Sequence, residues 1–378
     1  MSVPAPKTPN SPGVTGTITS DANYIYVCTS TNYWKRTPLN VWPPVIVPGY
    51  ADGASGAVSG TAQLPSILSG YTYRPPWKCA GVDYKIGPRS TPILNPATSP
   101  PANCTYDSGN KRLVVGADNV TIQGYDFSVN NGVYIYNPSF ANLIIEDCLL
   151  SGTNYPALFT GIVDHRGNGI TIQYCTIDGT SSGGSTNLSA LITIFFYGKS
   201  TIQYNDLKGS PSQIVSYGFN ATWTDGPQVY RWNLIRSWNI GTGQHMNAQQ
   251  YIQCVMTQPL TAFNTVYCNT TPGAGANPGE VFQEYGNNAG ANLIGPQLTN
   301  NTIIAVSGSG SVSYMLHGDQ ASVPVGGTVS GNAICRDNFF DPSGCTGGAI
   351  YPSSFSSVWN GSGLYPGTNM NTGVNVTF

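Results

Sequence analysis

Ile172-Gln-Tyr-Cys-Thr-Ile177 and Ile202-Gln-Tyr-Asn-Asp-Leu207 are two copies of one short pattern, thirty residues apart. The pattern is an apolar residue, two variable ones, Asn or a small or aromatic substitute, one variable residue and a final apolar one. It recurs outward from this pair as IQGYDF (122–127), IEDCLL (145–150), YRWNLI (230–235), TAFNTV (261–266), LTNNTI (298–303) and VSGNAI (329–334). Each copy is too short to fold alone, and its alternation of apolar with polar residues is that of a strand. Units of this size with insertions of variable length predict the rungs of a solenoid, each burying its apolar face against its neighbours.

Stacking the copies gives columns about 4.8 Å apart. The fourth position predicts a ladder of Asn205, Asn233, Asn264, Asn301 and Asn332, preceded by Tyr125, Cys148 and Cys175. Asn suits turns, and stacked amides can bond along the axis. The sixth position, from Phe127 and Leu150 to Ile303 and Ile334, predicts an inward apolar column. Position two points outward, so simple alternation sends the aromatic run Tyr174, Tyr204, Trp232 and Phe263 at position three inward.

Composition supports an all-β chain. Of 378 residues only 8% are charged, against roughly 25% in an average domain. The 45 Gly and 28 Pro oppose long helices, while 40% hydrophobic and 11% aromatic residues argue against disorder. A net charge of −2 removes the electrostatic basis for nucleic-acid binding. The start, MSVPAPKTPNSPG, has no apolar run of a secretory signal, and no stretch is apolar enough to span a membrane. No metal-ligand spacing and no cofactor motif is present, so neither is expected. The nine cysteines include Cys335/Cys345, Cys254/Cys268 and Cys79/Cys104 at spacings compatible with disulfides, and connectivity stays open.

The repeat resembles the right-handed parallel β-helix family of pectate lyases and phage tailspikes over about residues 119–340, and the expected parallel β-helix domain is 119–345. Residues 1–42 form a separate unit. There Asp21, Tyr24, Ile25, Tyr26, Val27, Cys28, Thr29, Thr31, Asn32, Trp34, Lys35, Arg36 and Trp42 match a short module found in bacteriophage structural and tail proteins. This resemblance implies a virion-anchoring β module carried by Tyr24, Tyr26, Trp34, Lys35, Arg36 and Trp42. Residues 43–118, rich in Pro and Gly, are expected to form an irregular transition packing on the first rungs, and 346–378 a C-terminal cap or subunit contact. The expected setting is a virion, with other virion proteins as partners, a homotrimer as assembly and host surface polysaccharide as a possible ligand.

Three roles stay open at this point: a tailspike-like attachment protein, a capsid decoration or tail-surface protein without ligand, and a polysaccharide lyase or hydrolase. For glycan binding the candidates are the outward Gln173, Gln203 and Arg231 with Asp178 and Lys208; the alternative is ordinary solvated ladder positions. For catalysis they are Asp164 and His165 in VDHRGNG, with Glu280 and Glu284 in NPGEVFQEYGNN. The two glutamates stand four strand steps apart, about 13 Å, too far to cooperate directly. His317 and Asp319 form a second such cluster.

Overall fold

A computed structural model describes residues 6, 11–20, 24–38, 61–151, 162–164, 169–179, 190–195, 199–209, 212–217, 228–236, 247–252, 255–268, 279–285, 292–306, 312–319, 328–330, 334–350 and 366–376. The chain divides into two compact units, Met1–Ser55 and Gly56–Phe378. In the first, strands Ile18–Ser20, Tyr24–Ser30 and Tyr33–Pro38 form an antiparallel meander. The tight turn places Asn32 in the left-handed region (φ 59°), and its side chain accepts the Gly13 N–H. Tyr26 and Cys28 are buried.

The second unit is all-β and built as a coil of parallel strands. Three long sheets of ten, eight and nine strands run along it. One turn of the coil shows the plan. Ile192–Phe195 lies in the first sheet, Ser200–Gln203 in the second and Asp206–Lys208 in the third, before the chain returns to the first at Ser212–Tyr217. Each strand pairs with its equivalent one repeat away, as Ile172 with Ile202 and Ile177 with Leu207. Apolar residues at positions one and six, including Ile122, Ile145, Ile172, Phe127, Leu150 and Ile177, fill the interior and are fully buried.

The corner between the second and third sheets is made the same way in all eight rungs. One left-handed residue stands at position three: Gly124, Asp147, Tyr174, Tyr204, Trp232, Phe263, Asn300 and Asp337, with φ between 54° and 76°. This residue shifts the in–out phase by one. Position three therefore faces out and position four faces in, which corrects the inward placement of the aromatic run. Tyr174 stacks on Tyr204 with ring centroids 5.0 Å apart, and Trp232 on Phe263 at 4.4 Å, in a cluster separate from the coil interior.

The asparagine ladder fills the interior side of this corner. Asn205, Asn233, Asn264 and Asn301 are buried, and each Oδ1 accepts both the backbone N–H and the Nδ2 of the ladder asparagine one rung earlier, except at Asn205, where the earlier residue is Cys175 and only its N–H donates. Each Nδ2 also donates to the position-one carbonyl of the rung before, as Asn233 to Ile202 at 2.9 Å. Where the ladder changes to cysteine the geometry persists: the thiols of Cys148 and Cys175 donate to the carbonyls of Ile122 and Ile145.

The eighth rung requires a correction. Asn332 lies outside the described residues, and the ladder continues through Asn338, whose Oδ1 accepts from Asn301 N and Nδ2. The rung is Cys335-Arg-Asp-Asn-Phe-Phe340, with Leu298 paired to Cys335 and Ile303 to Phe340. Val329, which imitates a rung start, pairs instead with Leu293 in a small fourth sheet of Val255–Thr257, Asn292–Ile294 and Thr328–Ser330. Phe340, not Ile334, closes the inward column.

Residues 61–103 do more than cover the first rungs. From 71 to 94 the chain runs along the outer side of the corner, from Asp341 and Met370 at the last rungs to Gly124 at the first. At the far end Gly367–Asn369 extends the third sheet, and Asn375–Val376 folds back antiparallel to it.

Candidate functional site

The outer face of the second sheet carries the polar strip expected at position two. Gln173 Nε2 donates to Glu146 Oε2 at 2.9 Å, Gln203 Nε2 to Gln173 Oε1 at 2.9 Å, and Arg231 Nε to Gln203 Oε1 at 2.8 Å. The in-register strands place these side chains one strand spacing apart, the reach of a side-chain amide. Glu146, Gln173, Gln203 and Arg231 are all half-buried.

The strip ends on an anchor that sequence reasoning missed. Arg89 grips Asp147 through Nε and Nη2, donates from Nη2 to Glu146 Oε2 at 3.0 Å, and lies over the Tyr174 ring at 4.3 Å. Hydrogen bonds to Asp147 hold the Arg89 guanidinium above its ordinary pKa. Burial pushes the Asp147 carboxyl up, but hydrogen bonds from Arg89 side chain and backbone and from Gln123 outweigh it and leave the pKa lowered. A single arginine in a Pro/Gly-rich segment gives no sequence signal for such a role.

Asp178 and Lys208 meet across the third sheet at 3.0 Å. Arg236, in register with Lys208 on the next rung, does not lengthen that pair. It makes two bonds, 2.9 and 2.8 Å, to buried Asp206 at position five of the rung before.

The catalytic candidates are not brought together in the described backbone. Asp164 ends strand Ile162–Asp164 and Glu280 and Glu284 lie in Gly279–Tyr285, all in the first sheet; their side chains, and His165 altogether, lie outside the described residues. The register runs Asp164–Ile194–Ser216–Tyr251–Glu284. Four strand spacings, about 19 Å, separate the two acids, beyond the 5–10 Å or so that glycosidic acid pairs need. The described members of their column, Asn137 and Ile194, are buried. His317 and Asp319 stand in strand Val312–Asp319, with side chains likewise outside the described residues. Among the described residues no three His, Cys, Asp or Glu side chains group to hold a metal ion, and no helix is long and apolar enough to cross a membrane.

None of the eight described cysteines is disulfide-bonded, and Cys254 lies outside the described residues. Cys79 packs beside Thr302 while Cys104 packs against the coil interior, which keeps apart two cysteines whose spacing is compatible with a disulfide. In the N-terminal module Tyr24, Trp34, Lys35 and Arg36 lie in the described strands, Lys35 is exposed, and Trp42 is outside the described residues. Comparison of the chain with protein-family models, with curated proteins and with solved structures finds no match.

Proposed function

We propose that the chain is a bacteriophage virion protein, a tailspike-like attachment protein whose coil presents the second sheet to host glycans. The coil is taken as right-handed, the hand of ~98% of parallel crossovers. The observation carrying the reading is the Glu146–Gln173–Gln203–Arg231 strip. A glutamine amide has two N–H groups and two oxygen lone pairs. The ladder uses one of each at Gln173 and Gln203 and holds both amides in fixed orientation. A repeating polyhydroxyl chain then meets preordered partners, so less conformational entropy is lost on binding. The Met1–Ser55 unit, with its meander, supplies the attachment to other virion proteins, and a homotrimer is the proposed assembly.

A second reading, a capsid decoration or tail-surface protein without ligand, draws on the mutual satisfaction of the strip's side chains. A panel of bacterial surface polysaccharides, incubated with the purified full chain and scored for binding and for fragment release, separates the readings. Binding without cleavage, weakened at least about tenfold by Gln173→Ala with Gln203→Ala, is expected. Binding untouched by the double variant moves the ligand off this face, and no binding at all favours the decoration. Fragment release lost on Asp164→Ala or Glu284→Ala would establish a depolymerase. Deleting residues 1–42 is expected to abolish incorporation into particles, and particle density on the capsid shell would exclude a tailspike.

A further inference from the structure

In an ordinary solenoid each rung touches only its neighbours, so stability is a nearest-neighbour sum and the ends fray first. This coil departs from that scheme through residues 71–94, which meet every rung in turn. Tyr71 O–H donates to Asp341, and Tyr73 N–H to Met370 O, at the last rungs. Trp77 packs edge-on against Phe339 of the eighth rung (5.4 Å) and Phe263 of the sixth (5.8 Å). Cys79 Sγ lies 3.4 Å from Thr302 of the seventh. Tyr84 leans on Trp232 of the fifth, and Gly87 N–H donates to Tyr204 O of the fourth at 3.1 Å. Arg89 covers Tyr174 of the third and binds Asp147 of the second. Leu94 N–H donates to Gly124 O of the first, and Leu94 O accepts from Asp126 N–H.

The platform under this segment is built at a cost. A bulky residue in the left-handed region is an outlier, costing on the order of 1–3 kcal/mol. The outer rungs avoid that cost with Gly124, Asp147, Asn300 and Asp337, but the four central rungs place Tyr174, Tyr204, Trp232 and Phe263 there. Tyr174, Tyr204 and Trp232 are buried, and all four pack in one cluster with Leu64, Ala80, Tyr84, Ile86 and Leu234. Contact is close enough that a Cβ on Gly81 would stand 2.3 Å from Leu234 Cδ2, on a backbone with φ +72°. Opening any rung must therefore break its contact with the segment, which also holds the rungs on either side.

We propose that residues 71–94 are an axial clasp that makes the eight rungs open together rather than one by one from the ends. The chain carries its own reporters. Cys148, Cys175, Cys268 and Cys335 are fully buried thiols in rungs two, three, six and eight, and Cys79 is a fully buried thiol on the clasp. The full chain is held under native conditions with a thiol reagent, and labelling at each cysteine is followed by peptide mass spectrometry. Rates are normalised to those in denaturant. The four coil cysteines are expected to label at a common rate, within about threefold, because they share one global opening. A graded series with Cys335 more than about tenfold faster than Cys175 is the behaviour of an unclasped solenoid and overturns the proposal.

Gly81→Ala forces the clasp away from Leu234 of the fifth rung while leaving every coil residue unchanged in sequence. Cys79 and Cys335 are then expected to label at least about tenfold faster than Cys148 and Cys175. If the variant folds and its four coil cysteines still share one rate, something other than the clasp couples the rungs and the proposal fails. If the variant does not fold, the spread of rates in the unaltered chain decides alone.

Discussion

Two amide ladders run along this coil on opposite sides of the same wall. The inner one, Asn205 to Asn338, is buried, and its amides bind one another, backbone N–H groups and carbonyls of the rung before. The outer one, Gln173 and Gln203 between Glu146 and Arg231, is half-buried and has comparable bond lengths. Geometry alone would rank them as equals. The difference lies in what replaces a lost bond. Water can serve the outer carbonyls and amides, whereas a deleted inner amide strands groups in a dry interior, at about 1–3 kcal/mol for each. The inner ladder therefore holds the coil, and the outer one is free to serve a surface.

The largest effect is expected at Asn233. Asn233→Ala removes the donor to Ile202 O and the acceptor for Asn205 N and Nδ2, and should cost about 4 kcal/mol in denaturant unfolding. A loss no greater than that of an outer glutamine would dissolve the contrast. Asn233→Cys sharpens it, because Cys175 already serves the same column by donating to Ile145 O. The thiol restores the donor but not the amide oxygen, so about 2 kcal/mol is expected, between the parent and the alanine variant.

Acid tests the hinge between the ladders and the clasp. The Asp147 pKa is lowered in the folded chain, so its contribution is complete above the unfolded value near 4 and is lost as pH falls through the folded value. Between pH 7 and pH 3 the parent should lose about 1 kcal/mol more stability than Asp147→Asn, a replacement that tolerates the left-handed backbone (φ 55°). Equal losses in the two proteins would mean that the Arg89–Asp147 contact carries no pH dependence. The smallest effect is expected at Gln203→Ala, within about 0.5 kcal/mol in the same unfolding measurement. A cost above about 2 kcal/mol would show that the outer strip is structural after all.

Most of the coil was legible because a parallel stack turns one local pattern into a column: the in-register pairs Ile145–Ile172, Ile172–Ile202 and Ile202–Tyr230 follow from aligning the copies. The eighth rung was misplaced by a decoy. VSGNAI fits the pattern, yet its Val329 belongs to the extra sheet in the late rungs, while CRDNFF starts 37 residues after Leu298, the spacing of the preceding pair. Position three was misplaced because alternation assumes extended backbone, and a single left-handed residue breaks it. Of the site, the outward glutamines were legible and Arg89 was not.

The repeats determine by themselves that the chain stacks, which residues share a column and that charge plays little part, since these follow from local periodicity and composition. Tertiary structure alone decided where the aromatic run points and what it meets. A φ near +55° is a property of the closed corner, and the partners of its aromatic run lie 85 (Arg89–Tyr174) to 186 (Trp77–Phe263) residues earlier in the chain, where Pro and Gly erase any period. Periodicity reports neighbours in a repeat; a segment that crosses all the repeats at once leaves no periodic trace.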